Sequence, residues 1–96
     1  MKLFELGNIQ YLQHLASEVG EITISPDFMF TLSIDVGHYD DKGLPIRRVR
    51  VLYDGDTIVK YKFTVEGIAQ GLSMLRIAQK KSTEDLRAMI IKCRGY

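Results

Sequence analysis

Residues 28–36 impose the tightest constraint on what this chain can fold into. Phe28, Phe30, Leu32, Ile34 and Val36 alternate with Met29, Thr31, Ser33 and Asp35. A period of two sends alternate side chains to opposite faces, so the segment predicts a strand with one buried and one wetted face. Two later segments repeat the pattern. Val49, Val51 and Tyr53 alternate with Arg48, Arg50 and Leu52, and Val59, Tyr61 and Phe63 alternate with Ile58, Lys60 and Lys62. One-sided alternation is the mark of an antiparallel sheet that faces water on one side. A shorter strand, Ile22 and Ile24 between Glu21, Thr23 and Ser25, is broken by Pro26-Asp27.

Helical spacing flanks these strands. Ile9, Leu12, Ala16 and Val19 recur at three and four, with Leu15 widening the stripe, Asn8 placed to cap and Gly20 at the end. Thr64 is placed to cap a second helix, with Glu66 in its first turn and Val65, Ile68, Leu72 and Leu75 as its stripe. Gly67 and Gly71 lie within it, each costing about 1 kcal/mol relative to Ala, and close approach to a neighbouring element explains such a cost. Ser82 caps a third helix whose inward residues are Leu86, Met89, Ile90 and Cys93. The fold class that follows is α+β. It is an antiparallel β-meander of about four strands with three helices in the order α-β-β-β-β-α-α, the helices mainly on one face.

Parity also predicts a register. Cross-strand partners share a face. A two-residue Asp54-Gly55 turn would oppose Val49 to Lys60 and Arg50 to Val59, whereas a three-residue Tyr53-Asp54-Gly55 loop opposes Val49 to Val59 and Arg48 to Lys60. The second choice keeps charge out of the core and is the expectation. If Ile34 faces Val49, Asp35 falls opposite Arg48.

Ninety-six residues fit one domain, 1–96, and 46% apolar with 26% charged residues argues against a disordered chain. No apolar run approaches the ~20 residues of a membrane span, so no membrane partner is expected. The start of the chain lacks a long apolar stretch, and the single cysteine, Cys93, has no partner for a disulfide, so a cytoplasmic protein is the expectation. The net charge of +1 conceals a split: residues 1–41 hold one Lys against seven acidic residues, and residues 42–96 hold twelve Lys and Arg against five. Interleaving of the two halves in one sheet would cancel most of that field.

Three groups of residues are candidates for function. The loop from Gly37 to Pro45 holds His38, Tyr39, Asp40 and Asp41, residue types suited to acid–base or metal chemistry, although turns collect Asp and Gly for backbone reasons alone. Asp54-Gly55-Asp56 resembles a fragment of a calcium loop without the rest of it, and the meander sets it at the far end of the sheet from the first loop. No motif for a metal, nucleotide or nucleophile occurs, so no enzyme activity, metal or cofactor is expected. The third group is the outer face, where Arg48, Arg50, Lys60 and Lys62 share one parity with Met29, Leu52 and Ile58. A charge-rich outer face is common on an exposed antiparallel sheet, but cations beside apolar residues there suggest partial cover, by a partner, a second copy or equally the last helix.

The helix–strands–helix order resembles that of double-stranded-RNA-binding domains, in topology alone. Those domains open the helix after the sheet with lysines, where this chain reads Thr64-Val65-Glu66-Gly67. The expectation is therefore a small non-catalytic protein-binding module of the adaptor or inhibitor type, such as viral or mobile-element inhibitors, that binds a protein partner or pairs as a homodimer. Nucleic-acid backbone binding by the same basic face is the first alternative, and a small enzyme using the His38–Asp41 loop the second. Against nucleic acid, the aromatics Phe28, Phe30, Tyr53, Tyr61 and Phe63 have inward parity and cannot stack bases on that face.

Overall fold

A computed structural model describes residues 6–94. Helix α1 (Leu6–Val19) leads into β1 (Ile22–Ile24), β2 (Phe30–Tyr39), β3 (Pro45–Tyr53) and β4 (Asp56–Lys62), followed by α2 (Val65–Ala78) and α3 (Thr83–Arg94). The strands form one antiparallel sheet in the order β1-β2-β3-β4, the expected meander. Pairing β2 with β3 interleaves the acidic and basic halves of the chain.

The inner face carries Phe30, Leu32 and Ile34 from β2 and Val49 and Val51 from β3, all buried, together with the half-buried Val59 and Tyr61. Val59, Tyr61 and the residue after the strand, Phe63, are less covered than parity suggests, because β4 is the edge strand of the sheet. Helix α2 lies across this face and buries Ile68, Leu72 and Leu75. It comes so close that a Cβ at Gly71 would stand 2.7 Å from Leu32 Cδ1 and 2.9 Å from Val49 Cγ1. Helix α1 packs on α2 and β1, and α3 packs along β4. Asn8 lies inside the first turns of α1 and is not its cap.

Thr64 caps α2 as expected: its backbone is extended and its hydroxyl accepts the Gly67 N–H at 2.9 Å. Ser82 does the same for α3, accepting from Asp85 N at 3.1 Å. Thr64→Ala should lower stability by about 1 kcal/mol in urea denaturation, the usual cost of removing such a cap. Thr64→Ser, which keeps the oxygen, should cost much less.

Three expectations need correction. First, Phe28 is 93% exposed and lies outside any strand. The Asp27 carboxylate accepts the N–H groups of Met29 and Phe30, which makes residues 26–29 a turn and starts the alternation at Phe30. Second, the 37–45 loop is much shorter than it reads. Strand β2 runs on through His38 and Tyr39, opposite Ile46 and Pro45, with Gly37 taken up as an extra residue in the register. Third, β3 and β4 are joined by the two-residue turn rather than by a three-residue loop. Asp54 and Gly55 both have positive φ, 51° and 83°, which makes a tight turn whose twist suits a hairpin. The parity problem that argued against this turn is solved one step later. Leu52 faces Thr57, but Val51 faces Val59, so Ile58 is an inserted residue. Beyond it, Val49 faces Tyr61, Arg50 faces Lys60 and Arg48 faces Lys62. From Val59 onward the inner and outer faces of β4 are as expected, with the register moved by two residues.

Candidate basic site on the outer sheet face

The outer face of β3 reads Ile46, Arg48, Arg50 and Leu52, and that of β4 carries Thr57, Lys60 and Lys62. Arg48, Arg50 and Leu52 are half-buried, while Lys60 and Lys62 are exposed. Cross-strand pairing sets Arg50 beside Lys60 and Arg48 beside Lys62, where parity reasoning had set Arg48 beside Lys60. Like charges facing one another across a sheet destabilise it.

Asp35 offsets that repulsion. It lies opposite Arg48, as expected, and is buried at 8% exposure although it belongs to the water-facing side. Arg48 Nε donates to its Oδ1 at 2.8 Å, Arg50 donates an η nitrogen to Oδ2, and Ser33 Oγ donates to Oδ2 at 3.0 Å. Burial by itself would raise the Asp35 pKa, but the hydrogen bonds from Arg48, Arg50 and Ser33 and the charge of Arg50 outweigh it and hold the carboxyl below the ordinary value. The other η nitrogen of Arg50 donates to Thr57 Oγ1 at 3.1 Å, while its buried Nε has no hydrogen-bond partner among the described residues. Both arginines are thus held in fixed poses against the sheet.

Helix α3 completes the site. Its last turn brings Cys93 and Arg94 to the edge of the same face, where Arg94 donates to Asp56 Oδ1 at 3.0 Å. Arg48, Arg50, Thr57, Lys60, Cys93 and Arg94 line an open hollow of about 370 Å³, together with Gly55 and Asp56. Thr57, Cys93 and Arg94 are the members that sequence reasoning missed; Cys93, expected to face inward, is half-buried and borders the hollow instead of joining the core. A cation at a helix C-terminus has an ordinary role in offsetting the dipole, so no local pattern singles Arg94 out.

Two apolar members of the expected site are not there. Ile58, the inserted residue of β4, is buried at 3% exposure in the core. The insertion removes it from the outward parity that placed it beside the lysines. Met29 precedes β2 and packs against the core, because the Asp27 turn takes it out of the strand's alternation. Leu52 remains on the outer face. Ile46, 41% exposed, extends the same row at its other end.

His38, Tyr39, Asp40 and Asp41 line a separate open hollow of about 470 Å³ with Lys42, Leu44 and Ile46. The Asp40 carboxylate accepts the N–H groups of Lys42 and Leu44, each at 2.9 Å, so it is engaged in building the turn. Among the described residues no three His, Cys, Asp or Glu side chains come together as metal ligands would. No described helix is long and apolar enough to cross a membrane.

Comparison of the chain with protein-family models, with curated proteins and with solved structures gave no match. The case for function therefore rests on the geometry of the outer face.

Proposed function

We propose that this chain is a non-catalytic protein-binding module whose outer sheet face receives an acidic surface of its partner. The observation that supports the reading is the imbalance of charge on that face. Arg48, Arg50, Lys60, Lys62 and Arg94 gather there, and the carboxylates paired with them are Asp35 and Asp56. Lys60 and Lys62 stand in no ion pair among the described residues. Ile46 and Leu52 place apolar surface at both ends of the cationic row, which suits a protein surface more than a phosphate backbone.

Lys60→Glu with Lys62→Glu tests this reading without touching the Asp35 cluster. The double variant sets Glu opposite Arg50 and Arg48 in place of a like charge, so it should melt no lower than the parent and yet lose the proteins that the parent retains from lysate. Affinity for a partner so identified should fall by about tenfold or more, the scale set by opposing charges across an interface. Ile46→Ser should weaken it as well, and added salt should weaken it in part. Unchanged capture by both variants would reject the reading. For nucleic acid, each lost phosphate contact would instead lower the log–log salt slope by about one, with Ile46→Ser silent.

A further inference from the structure

The hollow beside α3 has a charge that a carboxylate does not match. Arg48, Arg50, Lys60 and Arg94 line it. Asp35, beneath Arg48 and Arg50, and Asp56, on Arg94, neutralise two of the four. The C-terminal end of α3 subtracts a further half charge or so, which leaves an excess of about one and a half positive charges. A phosphate monoester carries about −1.5 to −2 at neutral pH and offers three acceptor oxygens, whereas a carboxylate carries one charge.

The donors are also prepared for such a group. Asp35 fixes Arg48 through Nε and Arg50 through one η nitrogen, and Thr57 fixes the other η nitrogen of Arg50. Asp56 holds Arg94 through one η nitrogen, and Lys60 is an exposed point charge with no ion pair among the described residues. Anchored guanidinium groups lose little freedom when they bind an oxyanion, which is why arginine clusters recognise phosphate. The hollow is larger than a phosphate alone requires and so has room for the side chain that bears it.

We infer that this hollow seats the phosphate of a phosphorylated side chain on the partner protein. The inference rests on the protein-binding reading and names the chemistry of the group recognised. A nucleic acid fits less well, since it presents phosphates in a row while four of the five outer cations converge on one hollow. Phe30 of β2 and Tyr53 of β3 face inward, 5.1 Å apart in mutual contact, so neither ring offers a stacking surface on the outer face.

The test is a heteronuclear NMR titration at constant ionic strength with four probes: a glycine-flanked phosphoserine peptide, its unphosphorylated twin, inorganic phosphate, and a single-stranded oligonucleotide. The phosphopeptide should shift the amides of Arg48, Arg50, Thr57, Lys60 and Arg94, and the unphosphorylated twin should not. Arg94→Gln and Lys60→Gln should each weaken phosphopeptide binding by about tenfold, the scale of one charge-assisted hydrogen bond. Lys62→Gln, outside the hollow, should change it by no more than about twofold, as a screened surface charge does. Absence of shifts would overturn the inference, as would an equal effect of Lys62→Gln and Lys60→Gln. Inorganic phosphate binding as tightly as the phosphopeptide would overturn the assignment to a partner side chain, and an oligonucleotide binding more tightly would overturn it in favour of nucleic acid. A silent phosphopeptide together with partner capture that still depends on Lys60 and Lys62 would remove this inference and leave the protein-binding reading standing. Phosphopeptide binding with partner capture indifferent to those lysines would remove the reading instead.

Discussion

Gly67→Ala should destabilise the protein by about 3 kcal/mol, although helix propensity alone forecasts a gain of about 1 kcal/mol. Gly67 sits in the first turn of α2, directly over the end of β4. A Cβ there would stand 1.9 Å from the carbonyl oxygen of Lys62 and 3.2 Å from Thr64 Oγ1. The obstacle is backbone, and it is fixed, because that same carbonyl accepts the Thr64 N–H at 2.9 Å. The helix start must therefore swing away from the strand. Doing so also strains the hydrogen bond from Gly67 N to the Thr64 cap, a contact worth about 1 kcal/mol. For a domain of this size the melting temperature should fall by roughly 10–20 °C.

Two companion variants isolate the cause. At Gly71 the added methyl meets the side chains of Leu32 and Val49 at 2.7 and 2.9 Å, not backbone at 1.9 Å, so Gly71→Ala should cost less than Gly67→Ala. At Gly7, in α1, nothing among the described residues lies within 4 Å of the added Cβ, and Gly7→Ala should be neutral or stabilise by up to about 1 kcal/mol. Urea denaturation of the three variants measures the order. A Gly67→Ala protein as stable as its parent would mean that α2 does not enter at this closeness to β4.

Asp35→Ala should cost about 2 kcal/mol at neutral pH, less than the loss from a fully buried pair because Arg48 and Arg50 retain 36% and 22% of their side-chain exposure. Removing the carboxylate leaves Arg48, Arg50, Lys60 and Lys62 packed on two adjacent strands with no anion beneath them. The sign with pH follows from the lowered Asp35 pKa. A carboxyl held below its unfolded value of about 3.9 contributes stability that is fully present above that value and is lost as pH falls through the folded pKa. The parent should therefore lose stability from about pH 4 downward, and Asp35→Ala should show a shallower acid limb. Salt should restore part of the variant's stability at neutral pH by screening the cations. Asp35→Asn, which can still accept a hydrogen bond, should fall between the two. Equal stability at neutral pH and equal acid limbs would show that the cluster carries no weight in the fold.

Residue alternation was enough to determine the meander and most of its two faces, and, once Ile34 is set against Val49, the pairing of Asp35 with Arg48. Those are consequences of a period of two and of which residues water rejects, and both are properties of short segments. Caps at Thr64 and Ser82 were legible for the same reason, since the oxygen and the N–H it satisfies lie three residues apart. What the tertiary structure decided were choices between elements. The Asp54-Gly55 turn and inner-face pairing pull the register in different directions, and the conflict is settled by inserting Ile58, a residue whose type does not announce an insertion. That single residue moved Ile58 from the proposed outer face into the core and set Arg50, rather than Arg48, beside Lys60. The Asp27 side chain likewise outcompeted strand pairing at Phe28 and Met29, because one carboxylate could satisfy two backbone N–H groups at once. Arg94 joins the cationic hollow through the packing of α3 along β4, a contact between residues distant in the chain. Local periodicity reports which side of an element is wet. It carries no term for where a separate element docks, and that docking is what turns a row of surface cations into a hollow.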